Sequence, residues 1–164
     1  MSVPSSVRKQ ADTLVSSASA AAVTLHGAME KEFPIVLQIQ LSEWDFFLTI
    51  ASVFVVTTRL EQSTMPPPQI DELLQIVTER FSAWQPDAIR GFEDCKAFYD
   101  RSFDGLSRYP SYSGSDRAFL SADILGSWMV WNLFRHVPET EAERGLARVL
   151  GTYVTHEFSR WWDA

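Results

Sequence analysis

Residues 33–60 read FPIVLQIQLSEWDFFLTIASVFVVTTRL, and this stretch decides the fold. Wound at about 100° per residue, it places Gln38, Ser42, Asp45, Thr49, Ser52 and Arg59 in one sector roughly 100° wide. The rest of the cylinder is apolar, with Gln40 and Glu43 the main exceptions. A helix apolar on nearly all sides is surrounded by protein. Its polar stripe is then either a helix edge showing between neighbours or the lining of a cavity. A buried carboxylate without a partner is costly, so the cavity reading asks for a basic partner to Asp45, and Arg135 is one candidate. The solvated edge is the commoner fate of such a stripe.

Working outward, Pro34 suits the first turn of this helix, where an amide hydrogen is dispensable. Met65-Pro66-Pro67-Pro68 ends it near residue 62. The segment before it, Ser5 to Met29, carries a thin stripe of small apolar residues. Small residues bury little area, so this helix is expected to dock more weakly than the rest, with residues 1–10 as a mobile N-terminal segment. After the prolines, Ile70, Leu73, Leu74, Val77, Phe81 and Trp84 repeat at helical spacing from Gln69 to Trp84. A fourth helix starts after Asp87, a suitable N-cap, with Ile89, Phe92, Cys95, Phe98, Tyr99 and Phe103 inward. The text GLSRYPSYSGS at 105–115 is an irregular loop. A fifth helix, 116–136, is apolar almost all round. The sixth begins near Pro138-Glu139, with acids that favour a helix N-terminus. Gly145 and Gly151 weaken that last helix locally, and close contact with a neighbour explains such glycines.

Period 3.6 dominates and period 2 is nearly absent, which predicts an all-α fold. The expected architecture is a compact single-domain bundle of about six helices over residues 1–164, with the second (33–62) and fifth (116–136) most enclosed. At this length a core needs neither disulfide nor metal. Six Trp and eleven Phe point to an aromatic-rich core. One cysteine, Cys95, permits no intramolecular disulfide.

Net charge is −7, with no run of Lys or Arg, which argues against a nucleic-acid partner. The uncharged apolar run Phe46–Thr58 falls short of the about 20 residues of a membrane span. No apolar signal core follows the N-terminus, so a soluble cytoplasmic protein is the expectation. Phosphate-binding glycine patterns and the GxSxG elbow are missing. His156-Glu157 begins like the HExxH metal motif, but residue 160 is Arg and the pattern fails. The sequence therefore predicts neither metal nor cofactor, and no catalytic residue.

Two functional readings follow. The first is an acidic, non-catalytic protein-interaction or regulatory module that binds a protein partner or itself. Its contact residues are Arg108, Tyr109 and Tyr112 in the loop and Trp161 and Trp162 near the C-terminus, since Arg, Tyr and Trp anchor interfaces. The second is a helical small-molecule-binding domain or enzyme with a pocket between the second and fifth helices. There Gln38, Asp45 and Thr49 supply polar contacts, and Trp128 and Trp131 the apolar wall.

Overall fold

The computed structural model describes residues 2–107 and 116–163. The chain there is all-α: α1 (Ser5–Glu32), α2 (Leu41–Glu61), α3 (Pro67–Trp84), α4 (Ala88–Ser107), α5 (Asp116–Phe134) and α6 (Glu141–Phe158). Short 3-10 turns occupy Pro34–Gln38 and Trp161–Asp163, and no strand occurs among the described residues.

α2 is the axis of the bundle and touches each of the other helices. Trp44, Leu48, Ile50, Val53, Val56 and Leu60 on it are almost wholly inaccessible. By length and composition α2 is long and apolar enough to cross a membrane. Here its apolar sides are covered by neighbouring helices, as in a protein core.

α1 and α2 form an antiparallel hairpin. The Trp44 indole N–H donates to the Ala22 carbonyl at 2.8 Å, and the Ser19 hydroxyl donates to Asp45 at 2.8 Å. Ala11, Ala18 and Ala22 on α1 are buried, so small side chains let the two helices approach. The sequence reading had one helix from Phe33 onward. The structure instead breaks it: Phe33, Ile39 and Gln40 are extended, and α2 starts at Leu41. Three residues per turn bring Phe33, Val36 and Ile39 into line. Packed beside the end of α1, this segment buries Val36 and Ile39 and leaves Leu37 68% exposed. The loop expected at 105–115 does not begin at Gly105, because α4 continues to Ser107; residues 108–115 lie outside the described residues.

The closest helix crossing is that of α5 and α6. A Cβ at Gly126 would lie 1.8 Å from the Ala147 carbonyl oxygen, and one at Gly151 would lie 1.8 Å from that of Ala122. Each helix thus presents Ala-x-x-x-Gly to the other, and backbone packs on backbone. The expected close contact at Gly151 is present. Gly145 faces the Phe33 ring, 3.3 Å from where its Cβ would sit.

α6 starts at a capping box not picked out from the sequence. Thr140 Oγ1 accepts from the Glu143 amide at 3.1 Å, and Glu143 Oε1 accepts from the amides of Thr140 (2.9 Å) and Glu139 (3.1 Å). The other carboxylate oxygen meets His136 Nε2 at 2.5 Å. Backbone donation from Thr140 is the main cause that holds the Glu143 carboxyl down at about 2, opposed by its burial and assisted by His136. The result is a connection between α5 and α6 tied to Glu143 at His136, Glu139 and Thr140.

Candidate functional site

Of the polar stripe, Ser42 alone lines a cavity, and the stripe does not face water along its length: Gln38, Ser42 and Arg59 are exposed while Thr49 and Ser52 are buried. Gln38 sits on the 3-10 turn, outside α2, and is exposed. Asp45 is half-buried against α1, where the Ser19 hydroxyl reaches both carboxylate oxygens (2.8 and 3.0 Å) and Thr49 Oγ1 donates to one at 3.0 Å. Ser52 and Thr57 are buried and return their hydroxyl hydrogens to the α2 carbonyls of Leu48 and Val53. The middle of the stripe, Asp45 with Thr49, is therefore a polar seam between α1 and α2. The cation proposed for Asp45 is not needed, because hydroxyl donors satisfy the carboxylate. Arg135 pairs with Glu43 instead, at 3.5 Å.

An open cleft of about 480 Å³ does lie between α2 and α5, adjoining the stripe only at Ser42. Ser42, Glu43, Phe46 and Phe47 contribute from α2, Trp131 and Asn132 from α5, and Gln85 and Arg135 from the connections after α3 and α5. The volume falls within the roughly 300–1,000 Å³ range of ligand sites.

The walls are aromatic and braced from behind. Phe46 and Phe47 meet edge to face at 5.2 Å. Phe46 stacks on Trp84 at 6.1 Å, Phe47 abuts Trp128 at 5.8 Å, and Trp131 abuts Phe98 at 6.3 Å. Such contacts fix ring positions before any ligand arrives. Gly91 of α4 allows this packing: a Cβ there would come within 2.5 Å of Ile50 Cδ1 and 3.5 Å of the Phe46 ring. Trp131 stays 47% exposed, while Trp128 is 4% exposed and belongs to the core.

The mouth is polar. Glu43 and Arg135 face each other beyond ordinary hydrogen-bond length. Asn132 spends its amide hydrogen on the Trp128 carbonyl at 2.8 Å, and its own oxygen keeps its acceptor capacity. Arg135 has φ 62°, the one non-glycine residue with positive φ among the described residues. Its amide donates to the Trp131 carbonyl at 2.7 Å, closing α5 in the left-handed manner that glycine ordinarily supplies. An arginine in that conformation carries backbone strain.

Of the sequence-derived ligand residues, Trp131 lines the cleft, while Gln38, Asp45, Thr49 and Trp128 do not. Sequence reasoning missed Glu43, Phe46, Phe47, Asn132, Arg135 and Gln85 as a group. The one available signal was Glu43, a charge out of place on the apolar side of α2. Trp161 and Trp162 are half-buried fasteners rather than a free surface. Trp161 Nε1 donates to the Gln10 carbonyl (3.1 Å), Gln10 returns a bond to the Trp161 carbonyl (3.1 Å), and Trp162 Nε1 donates to the Val56 carbonyl (2.9 Å). Arg108, Tyr109 and Tyr112 lie outside the described residues.

Cys95 is wholly buried, and burial pushes its thiol up, away from the reactive thiolate form. Among the described residues no cluster of three or more His, Cys, Asp or Glu is placed to hold a metal. No protein-family model, curated protein or solved structure matches the chain.

Proposed function

We propose that the protein is a non-catalytic binding module that holds a small organic ligand in the cleft between α2 and α5. The observation that carries this reading is the braced aromatic wall, with half-exposed Trp131 opposite Phe46 and Phe47 and a ring of polar groups at the mouth. Ligand sites combine these two ingredients: apolar area for affinity and a few placed polar groups for orientation. The cleft lining contains one carboxylate, Glu43, with no histidine or cysteine beside it, which favours binding over acid–base or nucleophilic chemistry.

A fragment screen followed by thermal shift and protein-observed NMR tests this. Saturating ligand raises stability by about 2.7 kcal/mol at a hundredfold excess over Kd. Hits should perturb Trp131 and be lost in Trp131→Ala with the circular dichroism unchanged. Hits that bind Trp131→Ala as well as wild type would place binding elsewhere.

A second reading is supported by the apolar rim. Trp131 in the cleft lining and Leu41 beside Ser42 at the start of α2 are 47% and 46% exposed. Exposed apolar groups rimmed by polar ones mark protein contact surfaces. On this reading the cleft receives a side chain of a protein partner or of a second copy. Light scattering across a concentration series tests self-association, and Leu41→Asp should abolish any dimer it detects.

A further inference from the structure

The charges at the mouth narrow the ligand class. Resting on the cleft-binding reading above, we propose that the cleft takes a small aromatic zwitterion, an aromatic α-amino acid being the simplest case. Its carboxylate engages Arg135, its ammonium engages Glu43 and the Asn132 oxygen, and its ring lies between the Phe46/Phe47 pair and Trp131.

Three observations carry this. First, the cleft presents one anion and one cation, Glu43 and Arg135, held as a loose pair at 3.5 Å with side chains 38% and 82% exposed. Exposed pairs contribute little stability, so opening this one costs little. A ligand with a single charge satisfies one member and strands the other. A zwitterion satisfies both and leaves no unmatched charge.

Second, the cation is an arginine where glycine would close the helix without strain. A strained residue retained at a cleft points to a use for its side chain. Here the guanidinium offers the planar, two-pronged donor set that matches a carboxylate. The Arg135 backbone is held by its amide bond to the Trp131 carbonyl, and the next residue, His136, is bonded to Glu143.

Third, the apolar part of the site is made of rings. Phe46, Phe47 and Trp131 are each braced by another aromatic residue, which suits a flat ligand body.

Calorimetric titration with four probes separates the contributions: L-phenylalanine, 3-phenylpropionate (no ammonium), phenethylamine (no carboxylate) and L-alanine (no ring). The expected order has L-phenylalanine at least about tenfold tighter than any other. Arg135→Gly should weaken L-phenylalanine and 3-phenylpropionate by about tenfold or more while leaving phenethylamine little changed. The same variant should raise the thermal midpoint, because glycine relieves the strain, so lost binding cannot be ascribed to unfolding. Glu43→Gln should weaken L-phenylalanine and phenethylamine and spare 3-phenylpropionate.

A single-charge probe that binds as tightly as L-phenylalanine, or L-phenylalanine binding that ignores both variants, overturns the zwitterion proposal. So does absence of L-phenylalanine binding at millimolar concentration. If fragment hits are nonetheless lost in Trp131→Ala, the cleft reading survives and only the ligand class has failed. If no fragment depends on Trp131, both fail.

Discussion

Replacing Gly126 with alanine should destabilise the protein, although alanine is the better helix former. The added methyl carbon would sit 1.8 Å from the Ala147 carbonyl oxygen. Carbon–oxygen contacts settle near about 3.3 Å, so α5 and α6 must part by about 1.5 Å or bend. A radial gap of 0.5–1 Å already forfeits a quarter to a half of each dispersion contact. Leu125, Met129, Leu146, Leu150 and Val154 are all buried on these two helices and share that loss. Overpacking of this kind costs typically about 1–3 kcal/mol, and here the obstacle is backbone, which places it at about 3. Helix propensity returns about 1 kcal/mol. The net loss is about 2 kcal/mol, or about 4–8 °C in Tm for a chain of this size. Gly151→Ala meets the Ala122 carbonyl at the same distance and should behave alike. Gly27→Ala is the control. It lies within α1 with nothing within 4 Å of the new methyl, so it should stabilise by about 0.5–1 kcal/mol. Urea unfolding followed by circular dichroism measures all three. If Gly126→Ala and Gly27→Ala shift the midpoint in the same direction, the backbone-on-backbone account of the α5/α6 crossing is wrong.

Other outcomes follow from the same geometry. Glu143 is held at about 2 against an ordinary 4.5. Its contribution is therefore present above about pH 4.5 and lost as pH falls towards 2. Glu143→Gln should be less stable than wild type by about 1–2 kcal/mol at neutral pH, with the gap closing over that acid range; a gap that stays constant with pH refutes the charge-based account. Asp45→Leu leaves the Ser19 and Thr49 hydroxyls without their acceptor and should cost about 1–2 kcal/mol in chemical denaturation. A change below about 0.5 kcal/mol would mean that the seam is solvated. Trp162→Ala removes a half-buried ring and its bond to the Val56 carbonyl. It should cost about 2 kcal/mol, and amide exchange should show whether the C-terminal end of α2 loosens with it.

The helices and their inward faces were legible because burial imposes a 3.6-residue period that the chain cannot hide. α2 reads as a core helix from Trp44 to Leu60, and α3 is bounded by its prolines and by Gln85-Pro86. The start of α6 was equally legible in Thr140-Glu141-Ala142-Glu143, a Thr with a Glu three residues on. It was placed two residues early because Pro138 is the louder signal. The break at Ile39-Gln40 was not legible. No glycine or proline marks it, and it arises because the segment after α1 packs back along the end of that helix. The polar stripe is legible from Ser42 to Ser52 but not at Gln38, which the 3-10 turn takes off the helix, and its surroundings are not legible, since only the antiparallel pairing of α1 with α2 brings Ser19 to Asp45.

What the sequence by itself determined is the class of object: an all-α, aromatic-rich bundle with a central apolar helix, because composition and periodicity are local quantities. What only the tertiary structure decided is which sides of that helix remain open. Glu43 and Arg135 are far apart in the chain, and nothing in the sequence pairs them. They define a mouth because α5 crosses near the start of α2 and ends in a left-handed arginine. Tryptophans 161 and 162 ceased to be a free surface for the same kind of reason: their partners, Gln10 and Val56, lie at the other side of the sequence. A binding face is set by which surfaces the other helices leave uncovered, and that is a property of the packing as a whole.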